Sequence, residues 1–182
     1  MTTDLSDTLV IGISSTALFD LEEADAVFRE HFATDRTKSI KQYREYMLAR
    51  EDEPLAPGTG MPLVRALLEL NTQVSGQASP LVEVVVMSRN SPETGVRVLN
   101  NIRQLGLPIS RHAFTGGETV VDYLDAFDVD LFLTTNVKDA QKVIDGGMCP
   151  AAIVKRPPNA GREIPQGQVR IAFDGDAVLF DD

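Results

Sequence analysis

Asp174, Gly175 and Asp176 set two carboxylates two residues apart at the end of an apolar run, Val169-Arg170-Ile171-Ala172-Phe173. Such a run reads as a β-strand, and open α/β sheets bind ligands at the carboxyl edge of their strands. One carboxylate in that place can attack phosphorus or hold Mg²⁺. The second can give a proton to a leaving oxygen and take one back from water. Asp174 and Asp176 are therefore candidate catalytic and metal-binding residues of a phosphoryl-transfer site. Asp-Gly is equally a hairpin-turn signal, and on pattern alone the two readings stand level. Thr115-Gly116-Gly117-Glu118 holds a glycine pair that lets a backbone approach a ligand or turn tightly. His31 and His112 stand alone without metal spacing. Cys149, the single cysteine, follows a glycine turn and reads as a small packing residue.

The 182 residues suffice for one domain with a sizeable core, or one domain plus a fragment. The composition, 43% hydrophobic and 24% charged, is that of a soluble globular protein. No apolar run approaches the ~20 residues of a membrane span. The polar, acidic stretch from Met1 to Asp7 does not read as a secretory signal. One cysteine excludes an internal disulfide and fits a reducing cytoplasm. A net charge of −10 repels nucleic acid and anionic membrane. It leaves room for an anionic small molecule, because a local site with Mg²⁺ can outweigh the global field.

These residues need strands and helices to place them. Thr8 to Phe19 reads as a buried strand followed by a loop of small hydroxyl residues. Residues 20–57 form a charged helical insert: one helix from about Leu21, a second over Ser39 to Ala49 with Ile40, Tyr43, Tyr46 and Met47 at helical spacing. Pro54, Pro57, Gly58 and Gly60 end it. Met61 to Gln73 is an amphipathic helix. Leu81 to Met87 is a strand that delivers Ser88-Arg89-Asn90, and Ser91-Pro92 opens a helix stopped by Gly106. Strands over Ile109–Phe114, Val129–Leu133 and Ala151–Val154 follow, with a helix capped by Asn136 between the last two. Lys155 to Gly167, rich in Pro and Gly, reads as a linker. Alternating strands and helices predict a doubly wound, mostly parallel α/β sheet.

Setting Leu18-Phe19 against Leu179-Phe180 aligns Ile13 with Asp174 and Ser15 with Asp176. The two ends then look like two copies of one strand-loop element, of which only the later carries carboxylates.

The string Ile171 to Phe180 resembles the first motif of the haloacid-dehalogenase-like (HAD) phosphotransferases. In its full length it is similar to that motif in the cytosolic 5′-nucleotidases of type I. Ser14-Ser15 with Ala17-Leu18-Phe19, Glu51 to Pro54, and Thr115-Gly116-Gly117 resemble the same family. The resemblance implies a HAD-like (Rossmann-like) fold with residues 20–57 as a small cap. It implies Mg²⁺-dependent hydrolysis of nucleoside 5′-monophosphates such as AMP. Asp174 would be the nucleophile that forms an aspartyl-phosphate, Asp176 the acid and base, and both would bind Mg²⁺. Ser88 falls in the second motif and, with Gly116 and Gly117, would meet the phosphate. Glu118 stands where a lysine is expected, and Thr134-Thr135 where metal carboxylates are expected. The implied organisation is a degenerate HAD-like domain over 8–154, a linker over 155–168, and the first motif of a second half over 169–182. The implied partner is a nucleoside monophosphate or phosphate, with no nucleic acid and no membrane, and an unpaired terminal strand would favour a homo-oligomer. A non-catalytic nucleotide-binding or structural domain is the alternative reading.

Overall fold

The structure, a computed structural model, describes residues 5–73, 79–155 and 171–172. Five parallel strands form one sheet in the order β3-β2-β1-β4-β5. They are β1 (Leu9–Ser14), β2 (Val82–Ser88), β3 (Arg111–Phe114), β4 (Leu131–Thr134) and β5 (Ala151–Ile153). β1 lies in the middle. It pairs with β2 from Leu9↔Val82 to Ser14↔Met87, and with β4 from Ile11↔Leu131 to Ile13↔Leu133. The chain leaves β1 toward β2 on one side and later returns to β4 on the other. Their carboxyl ends therefore diverge around a crevice, where such sheets bind ligands.

The central strands are apolar on both faces because helices cover both. Ile11, Ile13, Val84, Val86 and Leu133 pack one way, against Val64, Leu67 and Leu68 of α4 (Met61–Glu69) and Val98 and Ile102 of α5 (Pro92–Gln104). Val10, Val85, Met87 and Phe132 pack the other way, against Val120, Leu124 of α6 (Val121–Leu124) and Val143 of α7 (Val137–Asp145). Residues one apart on a strand feed opposite cores, which is the period-2 alternation of extended chain.

Local chemistry sets the element ends. Ser91 accepts from the Thr94 amide at the start of α5, and Pro92 occupies the first turn, where its missing N–H costs nothing. Gly106 follows the helix at φ +61°. Several boundaries differ from expectation: β3 begins at Arg111 rather than Ile109, β4 runs from Leu131 to Thr134 rather than from Val129 to Leu133, α4 ends at Glu69, and α6 was not expected. The segment after β1 is a helical turn, α1 (Ser15–Leu18), rather than a loop, because the Ser14 hydroxyl accepts from the Ala17 amide. The second cap helix begins at Arg36 rather than Ser39, because Asp35 caps it by accepting from the Lys38 amide.

The cap consists of α2 (Glu22–Phe32) and α3 (Arg36–Ala49), folded back on each other. The Ser39 hydroxyl donates to the Phe28 carbonyl, and the Phe28 and Tyr43 rings meet edge-on with centroids 5.8 Å apart. The cap's entry and exit are clasped together. Phe19 bridges Pro57 antiparallel, Asp20 N–H donates to the Ala56 carbonyl at 2.9 Å, and Gly58 and Gly60 N–H donate to Leu18 and Ala17 at 2.9 and 2.7 Å. Asn101 of α5, fully buried, binds the exit strip again: its Oδ1 accepts from Leu55 N–H at 2.7 Å and its Nδ2 donates to the Glu53 carbonyl at 3.2 Å.

A Cβ on Gly58 would sit 2.5 Å from the Ala17 carbonyl oxygen and 2.7 Å from the Phe19 nitrogen. Both are backbone atoms of the clasp and cannot swing aside. Gly58→Ala is expected to lower stability by about 1–3 kcal/mol, the ordinary cost of overpacking. Urea denaturation of the two proteins side by side measures it.

Candidate functional site

The carboxyl ends of β1, β2, β3 and β4 form a floor and the cap forms a roof, enclosing a cavity of about 430 Å³. That volume lies in the range of small-molecule sites. Ser14, Ser15 and Thr16 come from the end of β1, Ser88, Arg89 and Asn90 from β2, Gly116 and Gly117 from the loop after β3, and Thr134 and Asn136 from β4. Asp25, Phe28, Phe32, Arg36, Ile40 and Tyr43 face it from α2 and α3.

The floor is a network of hydroxyls bound to one another. Ser15 Oγ lies 2.8 Å from Ser88 Oγ, both buried. Thr16 Oγ1 lies 2.8 Å from Thr135 Oγ1 and 3.2 Å from Ser14 Oγ. Three of the loop amides are already committed. Asn90 N–H donates to Ser88 Oγ at 3.2 Å, Asn136 N–H to Thr134 Oγ1 at 3.1 Å, and Gly116 N–H to the Asn90 carbonyl at 2.9 Å. Asn136 Oδ1 accepts from the Lys138 and Asp139 amides and so closes the N-terminus of α7. Gly116 and Gly117 carry φ of +65° and +104°, conformations that a side chain would resist, and this is the local reason for two glycines there.

The fold brings Ser88, Gly116 and Gly117 to one cavity, and Ser15 with them. Ile13 does not reach it: its side chain is fully buried in the sheet core. Glu118 is exposed, and Thr134 is buried and occupied by the Asn136 amide. Asp174 and Asp176 lie outside the described residues, as do most of 155–168 and of 169–182. Among the described residues no three His, Cys, Asp or Glu side chains gather as a metal site. The cavity's carboxylates are Asp25 and Asp139, and Asp139 is bound to the Arg89 guanidinium. The described floor therefore does not fit Mg²⁺, which takes carboxylate oxygens and water in octahedral array.

Sequence patterns did not mark Asp25, Tyr43 or Asn90 as site residues. Asp25 reads as an ordinary acidic residue in a helix's first turn, and Tyr43 as part of an apolar stripe. In the fold, Tyr43 Oη donates to Asn90 Oδ1 at 2.9 Å across 47 residues of chain, and Asn90 Nδ2 is buried without a partner among the described residues. No local pattern announces such a pair.

Burial governs the ionisation of these groups. It pushes the Tyr43 phenol well above its ordinary value, and the Asp25 charge pushes the same way, so Tyr43 is a neutral donor. Burial also raises the Asp25 carboxyl. The Arg29 guanidinium opposes that rise and Asp20 adds to it. Cys149 is raised by burial and by Asp130, which makes it a packed thiol rather than a nucleophile. A second cavity, of about 490 Å³, is lined by the start of α2, Tyr46, Pro54 to Ala56 and the buried Arg97.

A parallel sheet with β1 at its centre, helices on both faces and a helical cap over the carboxyl edge defines a Rossmann-like α/β protein of HAD-like layout. The sequence comparisons place it further. The family model for 5′-nucleotidases matches residues 1–182, and the chain belongs to that family. It is similar to cytosolic 5′-nucleotidase 1B of Homo sapiens, with 30% identity over 179 residues. That alignment takes in 96% of this chain and 28% of the human protein, so the chain spans little more than a quarter of its relative's length. No helix among the described residues is long and apolar enough to cross a membrane.

Because the Asp25 carboxyl is raised in the fold, the folded chain holds that proton to higher pH than the unfolded chain does. Stability is lost as pH rises from the unfolded value near about 3.9 through the raised folded value, and the loss is constant above it. Asp25→Asn removes the ionisation. Thermal melts across this range should show the variant gaining stability over the parent at neutral pH, with the gain vanishing near about pH 3.

Proposed function

We propose that this chain serves the hydrolysis of nucleoside 5′-monophosphates such as AMP to nucleoside and phosphate, with the chemistry on Asp174 and Asp176. One observation carries the reading within a chain of the 5′-nucleotidase family. The strand ends of the described sheet present hydroxyls where the reaction needs carboxylates, and this supports placing the chemistry on the Asp-x-Asp of 174–176. Residues 8–154 then act as a degenerate HAD-like domain, 155–168 as a linker, and 169–182 as the opening of a second half.

In this mechanism an Asp174 oxygen attacks phosphorus while the bond to the 5′-oxygen breaks. Asp176 gives its proton to that oxygen, and the nucleoside departs. Asp176, now a carboxylate, takes a proton from water, which attacks phosphorus and frees both phosphate and Asp174. Asp174 and Asp176 would hold Mg²⁺, which would supply positive charge against the phosphate oxygens. Ser88 can give its hydroxyl proton to a phosphate when Ser15 is the donor in their shared bond, whereas Gly116's amide would have to leave Asn90. Gly117's amide is the uncommitted member of the glycine pair. For residues 8–154 by themselves, the committed floor favours binding without hydrolysis.

Phosphate release from AMP by the purified 182-residue chain should require Mg²⁺ and fall by ~10³-fold or more in Asp174→Asn, as loss of a nucleophile does. Release that survives the substitution would place the chemistry elsewhere. No release from either protein would leave the chain with the binding role alone.

A further inference from the structure

We propose that the cavity beneath the cap binds an uncharged nucleoside, in preference to the nucleotide, as a site apart from the Asp174 and Asp176 chemistry. The choice of a nucleoside among flat-ringed polyols rests on the function proposed above; the preference for a neutral ligand rests on the cavity itself.

A phosphate group is held by free backbone amides or by a cation not otherwise engaged. The floor offers few of either. The amides of Ala17, Asn90, Gly116 and Asn136, one after each of the four strands, already donate to Ser14 Oγ, Ser88 Oγ, the Asn90 carbonyl and Thr134 Oγ1, which leaves Gly117 N–H as the free amide of its glycine pair among the described residues. The Arg89 guanidinium is bound to Asp139. Arg36, the roof's cation, is exposed and lies over the Phe32 ring at 5.7 Å. The Asp25 carboxylate faces the same cavity and would repel a dianion.

The groups that remain suit a neutral ligand. In the Ser14–Thr16 and Thr16–Thr135 pairs either oxygen can be the donor, so each pair can turn to give or accept a bond with a ribose hydroxyl. Phe28 and Tyr43 give an aromatic wall for a flat ring. Asn90 has a buried Nδ2–H that is unpaired among the described residues, beside the Tyr43 hydroxyl. Such a donor costs free energy until an acceptor meets it, and a ring nitrogen or carbonyl of a base is one.

The test uses the full chain carrying Asp174→Asn, so that no nucleotide is consumed. Adenosine, AMP and inorganic phosphate are titrated by calorimetry. Adenosine should bind, AMP at least ~10-fold more weakly, and phosphate not at all. Tyr43→Phe, which releases the Asn90 amide that Tyr43 holds in place, should weaken adenosine by roughly 5–10-fold. Asp25→Asn should narrow the gap between AMP and adenosine, which a merely structural role for Asp25 would not do. AMP binding as tightly as adenosine, no adenosine binding, or a gap unmoved by Asp25→Asn would each overturn the proposal. Adenosine binding in a chain that never releases phosphate would sink the hydrolytic reading alone. Phosphate release without adenosine binding would sink this one alone.

Discussion

The clasp between residues 17–20 and 56–60 is the constraint on which the rest depends. The cap packs Ala24 and Met47 into the main core, and it is also held at both ends. Its position comes from where its two ends are tied. Three backbone bonds, from Asp20 to Ala56, Gly58 to Leu18 and Gly60 to Ala17, tie both ends to the same turn, directly after the central strand. That turn is itself fixed by β1, whose neighbours on both sides are buried strands. Rigidity therefore passes from the sheet core through α1 to the cap, and the cavity between them is held open rather than formed by chance.

The same turn shows why the site lacks the expected chemistry. Ser14 caps α1, Ser15 binds Ser88, and Thr16 binds Thr135. Ser15 and Thr16 thus link the end of β1 to those of β2 and β4. A carboxylate at Ser15 would be buried 2.8 Å from the Ser88 oxygen with no cation beside it, at a cost that only a metal or a lysine could offset. The position where a lysine is expected is Glu118, which is exposed. The hydroxyl network is a stable solution for a strand-end crevice without charge, and it is consistent at every loop.

Electrostatics agrees at the larger scale. The chain's net charge of −10 disfavours a dianion in general, and the cavity adds Asp25 to that field. The cations near the cavity are engaged, Arg89 with Asp139 and Arg36 with a ring face. Elsewhere on the cap, Arg44 meets Glu93 at 2.7 Å and helps seat α3 on α5, an exposed pair of modest worth beside the buried Asn101 contacts.

Much of the fold was legible in the sequence. The apolar β-branched runs gave the strands, because a parallel sheet covered on both faces must be apolar on both. Ser91-Pro92, Gly106 and Asn136 marked helix ends, because capping is a matter of one or two adjacent residues. Gly116 and Gly117 were legible as a backbone device for the same reason. Family membership, too, could be read from short strings, since they are local. The start of α3 and the turn after β1 were misjudged where one capping oxygen, on Asp35 or Ser14, outweighed the apolar pattern. What only the tertiary structure decided was partnership across distance. Tyr43 with Asn90, 47 residues apart, and Ser15 with Ser88, 73 apart, depend on the clasp and the strand order. Whether a strand-end serine faces a ligand or another serine is set by which strand lies beside it, and hydrogen-bond partners chosen through a sheet leave no trace in local spacing.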